Sequence, residues 1–514
     1  MCFTVGSAEP RRQTETTTTR ARSDLNAATM TQFVDHPEST CQFGMARQEI
    51  TPPVGSYHRM WGAATHQQAA GVHRPLIAAV MVFRRAGADQ PSDNDQIVVR
   101  LDHCILGPSE LDSLRKEVAQ ATGYDPSSLL FLYSHTHAAG LMALDRQELP
   151  GGEHIPSYLA SINQTVAELA RQALADLRPS LFTYATGRCN LAAHRDFRDE
   201  ERDLWVCGYN PDGPADDTVM VVRVCETDGG LRAVLTNYAC HPTTLAWEND
   251  QISPDFPGAM REVVETATGV PCLFLQGASG DLGPVDGYVG DLEVADRNGR
   301  QLGHATLAAL YGLPAAGTRH QYQGPVVSGA TLGAWTHQPL PEQRQQAIAA
   351  WQLTRLQVEL PYRSGLPALA DVQAEKTLWQ QKKEAASASG DAQAMRDCHA
   401  MVERQTRLLW RLGGLVPGNH YPLAVYMWRI GDALWIALQG EPYQQLQIAL
   451  RERFNSLPLV ISTIANEASP AYLPPAEVYD TGIYQETIAV LAPGCLETLI
   501  GAISDKIAEI FELH

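Results

Sequence analysis

Five apolar, β-rich runs in this chain each break off into a side chain with chemistry to offer, and that recurrence constrains the fold more than any bulk property. Ile97–Leu101 leads into Asp102 and His103, and Leu129–Tyr133 leads into Ser134, His135, Thr136 and His137. LRAVLTNYAC runs to His241 and Pro242, PCLFLQGA to Ser279, Gly280 and Asp281, and ALWIALQG to Glu441. In α/β sheets, ligands and reactive groups gather beyond the carboxyl ends of strands, where loops and helix N-termini converge. One strand ends in something polar by chance. Five that end in Asp-His, His-x-His, His, Asp and Glu predict one shared site in an α/β fold, a layered sandwich of β-sheet flanked by helices.

Bulk properties narrow the partners. The chain of 514 residues is 44% hydrophobic and 19% charged, as in an ordinary globular protein. Its formal net charge of -19 repels phosphate backbones and anionic lipid, and no basic patch offsets it, so nucleic acid is excluded as a partner. Ten scattered cysteines form no CxxC pair and read as free thiols. The opening MCFTVGSAEPRRQTETTTTR lacks an apolar h-region, and no later run approaches the ~18 apolar residues of a membrane span. The expectation is a cytoplasmic protein without a transmembrane segment.

Residues 1–44 are polar, Thr-rich and aperiodic, which predicts a disordered leader with Met30 and Met45 as alternative starts. Residues 45–514 are then one folded domain. Between about 339 and 412, PEQRQQAIAAWQLTRLQVEL, VQAEKTLWQQKKEAASASG and DAQAMRDCHAMVERQTRLLWRL carry apolar residues at spacings of three and four. These predict amphipathic helices, a helical insertion that packs on the sheet, forms a lid or makes a homo-oligomer contact.

His135-Thr136-His137 places two imidazoles at i and i+2, which on an extended strand share one face about 7 Å apart, near enough to share a metal. His241 precedes Pro242, whose ring stiffens the turn, although a satisfied core histidine reads the same way. Glu441 precedes Pro442, a residue favoured at the first helical position, so it is either an ionised metal ligand or a helix cap. Asp102, Asp255 and Asp281 either orient metal-bound histidines or cap turns.

The strings Ile50-Thr51-Pro52-Pro53, Gly71-Val72-His73-Arg74-Pro75-Leu76, Ser134–His137, Tyr238-Ala239-Cys240-His241-Pro242, Ser253–Gly258, Gln276–Asp281 and Gly440-Glu441-Pro442 stand in an order that resembles the neutral/alkaline non-lysosomal ceramidase family, from about Gln48 to Tyr484. The resemblance implies an amide hydrolase with one catalytic zinc held by His135, His241, Glu441 and a C-terminal tyrosine, matched by Tyr472. It places His137 beside the zinc, makes Tyr484 a second active-site tyrosine and aligns Arg195 with an arginine that binds the substrate's polar head. In the charge-rich HRDFRDEERD loop, Arg195 reads equally as a solvated residue.

Two departures from the family pattern bear on substrate. Gly283 stands where the family has a serine, and the 30 residues after Tyr484 leave no room for a C-terminal immunoglobulin-like domain. The expected function is zinc-dependent cleavage of a carbon-nitrogen (amide) bond in a small or N-acyl substrate, in lipid metabolism but not specific for ceramide. Metal-activated water attacks, Tyr484 stabilises the oxyanion and His137 shuttles the proton. The alternatives are an esterase, lactonase or cyclic-amide hydrolase of a small polar metabolite, or a non-catalytic binding protein. No GxSxG elbow is present to support serine chemistry.

Overall fold

The computed structural model describes residues 32–467 and 469–513. Its larger sheet has eight strands: β1 (Glu38–Glu49), β2 (Ile77–Arg84), β3 (Gln96–Leu101), β4 (Leu129–Tyr133), β5 (Arg178–Arg188), β6 (Thr218–Glu226), β7 (Leu231–Tyr238) and β8 (Cys272–Gln276). They lie in the order β8-β7-β6-β5-β1-β2-β3-β4. A second sheet stacks on it, with β9 (Trp351–Pro361), β10 (His420–Ile430), β11 (Ala433–Leu438) and β12 (Leu459–Ser462) side by side. The helices that position the site are α1 (Pro108–Thr122), α2 (Ile155–Ala175), α3 (Phe256–Thr268), α4 (Leu292–Tyr311), α5 (Leu369–Ser389), α6 (Ala392–Gly413), α7 (Gln445–Arg453) and α8 (Cys495–Ile510).

Period-two alternation sorts the side chains into layers. On β2, Ala78, Val80 and Val82 pack against α1 and α2, while Ala79, Met81 and Phe83 enter the layer between the sheets. On β11 the same rule sends Ala433, Trp435 and Ala437 into that layer and Leu434, Ile436 and Leu438 toward α7 and α8. Helices α3 and α4 cover the β6–β8 half. The result is a helix-sheet-sheet-helix sandwich. Its middle is aromatic, with Phe83 5.3 Å from Trp435 and Trp428 stacked on Trp435 at 5.8 Å between ring centroids.

Within these two sheets only three neighbouring pairs run parallel: β3 with β4, β7 with β8, and β11 with β12. Counted along the large sheet, β3 and β4 point opposite to β7 and β8. Twist reconciles them. About 20–25° per strand over seven intervals turns the two edges by roughly 140–175° relative to one another. The edges meet: β8 lies against β4, and Arg100 Nε on β3 donates to the Phe274 carbonyl on β8 at 3.0 Å. The second sheet joins them where Thr463, just past β12, donates to the Gln276 carbonyl at 3.0 Å.

The predicted leader extends too far along the chain. Residues 1–31 lie outside the described residues, but Phe33–Val34 form a strand and β1, from Glu38, is a central strand of the large sheet. A start at Met45 would remove half of β1, whose buried Cys41 and Phe43 help fill the inter-sheet layer. The predicted helical insertion is also smaller than expected. Only Glu342–Ala347 of its first segment is helical, and Trp351–Pro361 is β9, because its β-branched and aromatic residues find pairing and burial against β10.

The remainder, α5 and α6, is an antiparallel helical hairpin that reaches back to the large sheet's loops. Its tie is Glu403, which receives Arg146 through both guanidinium nitrogens at 2.8 and 3.0 Å and Arg407 Nε at 2.8 Å; Arg407 also donates to the Met60 carbonyl. Burial raises the Glu403 pKa, but the charges of Arg407 and Arg146 outweigh it and bring the carboxyl down to about 2. A depressed carboxylate pKa stabilises above its unfolded value near 4.5 and loses that contribution as pH falls toward 2, here about 3 kcal/mol. Hydrogen exchange of α6 should therefore report constant protection from pH 7 to about 5 and faster opening between about 4.5 and 2. Glu403→Ala, which strands two arginines, should lower the opening free energy of α6 by about 3–5 kcal/mol at pH 7.

Candidate functional site

The carboxyl ends of the three parallel pairs bring His135, His241 and Glu441 together. His135 follows β4 with φ at +65°, so the His135–His137 segment is not an extended strand as the sequence pattern predicts. The left-handed turn aims both rings inward by a different route, leaving them 5.0 Å apart and nearly perpendicular. His241 follows β7, and its ring lies 4.9 Å from that of His135. Glu441 follows β11. It does not begin a helix: Glu441 and Pro442 form a two-residue parallel bridge with Tyr472 and Leu473, and α7 starts at Gln445.

Each histidine is oriented through Nδ1 by a backbone carbonyl. His135 Nδ1 donates to Cys104 O at 2.9 Å, and His241 Nδ1 donates to Ser279 O at 2.7 Å. Both Nε2 atoms are therefore lone-pair donors, and they face one carboxylate oxygen, Glu441 Oε2, at 3.5 and 3.0 Å. Three electron-rich atoms converge where they would repel one another without a positive charge among them. A divalent cation fits this donor set, and the carbonyl-held tautomers supply the orientation that metal-bound imidazole requires. Cys104, His135 and His137 form a second trio, but Cys104 Sγ meets His135 at Nδ1, 3.5 Å away, the nitrogen already committed to a carbonyl.

Tyr472 stands beside Glu441 across the bridge, with its ring 6.3 Å from His241. Its oxygen accepts from Arg195 Nη2 at 3.1 Å, and the same guanidinium donates to Gly280 O at 2.6 Å. Arg195 is buried, which removes the solvated-loop alternative. It is absent from the cavity lining among the described residues. His137 packs under Trp61, 5.2 Å between rings, and its buried Nε2 has no hydrogen-bond partner among the described residues. Burial pushes its pKa well down. Tyr484 lies 6.0 Å from Tyr472, and at 47% exposure it stands at the cavity mouth.

Of the three aspartates, none touches the histidines. Asp102 pairs with Arg100 and Arg261, both at 2.5 Å. Asp255 caps α3 by accepting from Phe256 N at 2.6 Å, and Asp281 accepts from Gln444 N at the start of α7 at 2.8 Å. A Cβ placed on Gly283 would meet Thr243, Arg195 and Tyr288 at 3.7–3.8 Å, so a serine has room there.

A cavity of about 160 Å³ opens onto the site, with His135, His137, Glu441 and Tyr472 at its floor. Sequence reading missed its wall. Helix α6 contributes Thr406, Arg407, Trp410 and Arg411, so the hairpin left open between sheet packing, lid and oligomer contact covers the site.

The neutral ceramidase of Pseudomonas aeruginosa is 25% identical over 262 residues, covering 47% of this chain and 37% of that protein. The crystal structure of neutral ceramidase from Pseudomonas aeruginosa superposes with a TM-score of 0.60 at 16% identity, covering 93% of this chain and 75% of that one. The chain shares the fold of neutral ceramidase. A structure described as ceramidase complexed with C2 gives the same TM-score of 0.60 at 16% identity, covering 93% of this chain and 76% of that one. The matched sequence thus spans little more than a third of the curated ceramidase, and no family model matches. Among the described residues no helix is long and apolar enough to cross a membrane.

The convergence of two Nε2 atoms on Glu441 predicts one tightly held divalent ion per chain. Elemental analysis after dialysis should return about one equivalent for the native protein, and His241→Ala should weaken binding at least a hundredfold. A native protein that retains no metal would refute the reading of the trio.

Proposed function

We propose that this chain is a zinc-dependent hydrolase that cleaves a carbon-nitrogen (amide) bond in a small or N-acyl substrate, using ceramidase-like chemistry without specificity for ceramide. The observation that carries this is the convergence of His135, His241 and Glu441, two of which line the cavity, in a set that matches the mixed imidazole and carboxylate ligands zinc favours. The three donors come from both sheets, so the two sheets act as one catalytic domain.

His135, His241, Glu441 and Tyr472 would hold a zinc ion, which would supply a Lewis acid for the carbonyl and bring the pKa of water toward about 7. The chain's own residues do the rest. Arg195 donates to the Tyr472 oxygen and so favours the ionised phenol a metal needs. His137, with Nε2 free, takes the proton from the attacking water and returns it to the leaving nitrogen as the carbon-nitrogen bond breaks and a carbon-oxygen bond forms. Tyr484, at the cavity mouth, donates its hydroxyl to the carbonyl oxygen as negative charge develops there.

Gly283 supports a substrate other than ceramide. The position has room for the hydroxyl that ceramidases carry, so its absence is a chemical difference and not a steric one. The cavity, at about 160 Å³, is smaller than the 300–1,000 Å³ typical of drug-sized ligands and suits a compact head with any long acyl chain leaving through the mouth.

A screen of zinc-loaded protein against N-acyl, ester and lactone substrates of graded chain length tests the class. Amide turnover that chelation abolishes is the expected result, and turnover of esters alone would replace the amidase reading. Tyr484→Phe should lower kcat about a hundredfold, as loss of one preorganised oxyanion donor does. An unchanged kcat would take Tyr484 out of the mechanism.

A further inference from the structure

Three arginines line the cavity: Arg146, Arg407 and Arg411. Two are spoken for. Arg146 and Arg407 share Glu403, and Asp145, the acidic residue of the cavity wall, lies against Arg146 Nε at 3.4 Å. Arg411 has no hydrogen bond or ion pair among the described residues, although it is only partly exposed. It sits one helical turn from Arg407 on α6, on the face turned to the cavity.

A half-buried guanidinium at the cavity wall keeps its N–H donors open to the cavity, and no group among the described residues accepts from them. Burial lowers the Arg411 pKa, and the charges of Tyr484, Glu441 and Tyr472 act in the opposite direction; Arg411 lines the same cavity as these three residues. Glu441 Oε2 faces the Nε2 atoms of His135 and His241 at 3.5 and 3.0 Å, as a metal ligand would, and makes no ion pair with Arg411 among the described residues. In a chain of formal charge -19, Arg411 is a half-buried cation with no ion pair among the described residues.

We propose that Arg411 is a specificity-determining residue that binds a carboxylate on the substrate, and that the substrates are N-acyl amino acids. The inference rests on the hydrolase reading and deepens it. In an N-acyl amino acid the carboxylate lies one carbon from the amide nitrogen, so a guanidinium at the cavity wall grips it while the carbonyl faces His135, His241 and Glu441. A planar fork matches a carboxylate in two parallel hydrogen bonds, which a neutral alcohol cannot make. Water adds its oxygen to the acyl carbon, the carbon-nitrogen bond breaks, and the nitrogen leaves as an amine carrying the proton, giving a fatty or short-chain acid and a free amino acid. The hairpin thus supplies the recognition and the sheets supply the reaction centre.

The test compares N-acylglycine with the N-acylethanolamine of the same acyl chain, which replaces the carboxylate with a hydroxymethyl group. Native protein should favour the anion by at least tenfold in kcat/KM. Arg411→Gln should cut that ratio by about ten- to a hundredfold, chiefly through KM, and Arg411→Lys should recover part of it. Equal kcat/KM for the two substrates in native protein, or an equal loss for both in Arg411→Gln, would overturn the proposal. Calorimetric binding of N-acylglycine to the metal-free protein keeps the test independent of turnover. Arg411-dependent binding without hydrolysis would sink the hydrolase reading and leave the carboxylate site standing, whereas hydrolysis of neutral amides with no Arg411-dependent binding would do the reverse.

Discussion

Twist in the eight-stranded sheet is the constraint on which the site depends. Its two parallel pairs lie at opposite edges and run in opposite senses by strand count, so in a flat sheet His135 and His241 would sit at opposite ends. Accumulated right-handed twist turns one edge over onto the other. The buried Arg100, bonded to the Phe274 carbonyl and paired with Asp102, spans the closure, and Arg261 of α3 completes the charge balance around Asp102. Closure also explains the second sheet's position: the inter-sheet layer of Phe83, Trp428 and Trp435 sets β11 where Glu441 can reach two imidazoles carried by the first sheet.

Once the strand ends meet, backbone carbonyls finish the work. A histidine ligand needs its other nitrogen held, and carboxylates often do this. Here Cys104 O and Ser279 O do it, both from loops whose geometry the sheet fixes. A carbonyl holds the tautomer without adding negative charge, so the trio keeps one carboxylate, Glu441. Each carbonyl comes from another strand's end, Cys104 after β3 for the ring carried by β4 and Ser279 after β8 for the ring carried by β7. The parallel pairing that brings the ligands also supplies their supports.

The strand-end pattern made the fold class and the three donors legible, because it depends on local alternation and on residue types that carry chemistry. Topology stayed hidden, since five strand ends look alike whether they belong to one parallel sheet or to three parallel pairs in two sheets. Leader and insertion were misjudged for one reason: polar or helix-favouring composition around Glu38–Gly44 and Trp351–Pro361 gave way to pairing with β5 and β10, which only tertiary contact reveals. Arg411 and Trp410 were invisible because their place over the site depends on how the hairpin folds back, a matter of the Glu403 tie and not of α6 alone.

Tyr472 shows why a weak sequence signal can mark a strong position. A phenol is a poor metal ligand until it loses its proton, and here burial and the charge of Glu441 both oppose that loss. Arg195 counters them by donating to the phenol oxygen at 3.1 Å, with its guanidinium lying 5.5 Å from the ring centroid. The Gly280 carbonyl accepts the remaining strong bond and holds the guanidinium in place, and Gly280 precedes the Asp281 that anchors the start of α7. Phenol, counter-charge and helix start are thus linked through one tight turn, where a Cβ on Gly280 would meet the Pro442 carbonyl oxygen at 2.9 Å. The arginine that the family resemblance aligned with substrate binding instead bonds the Tyr472 oxygen and is absent from the cavity lining among the described residues.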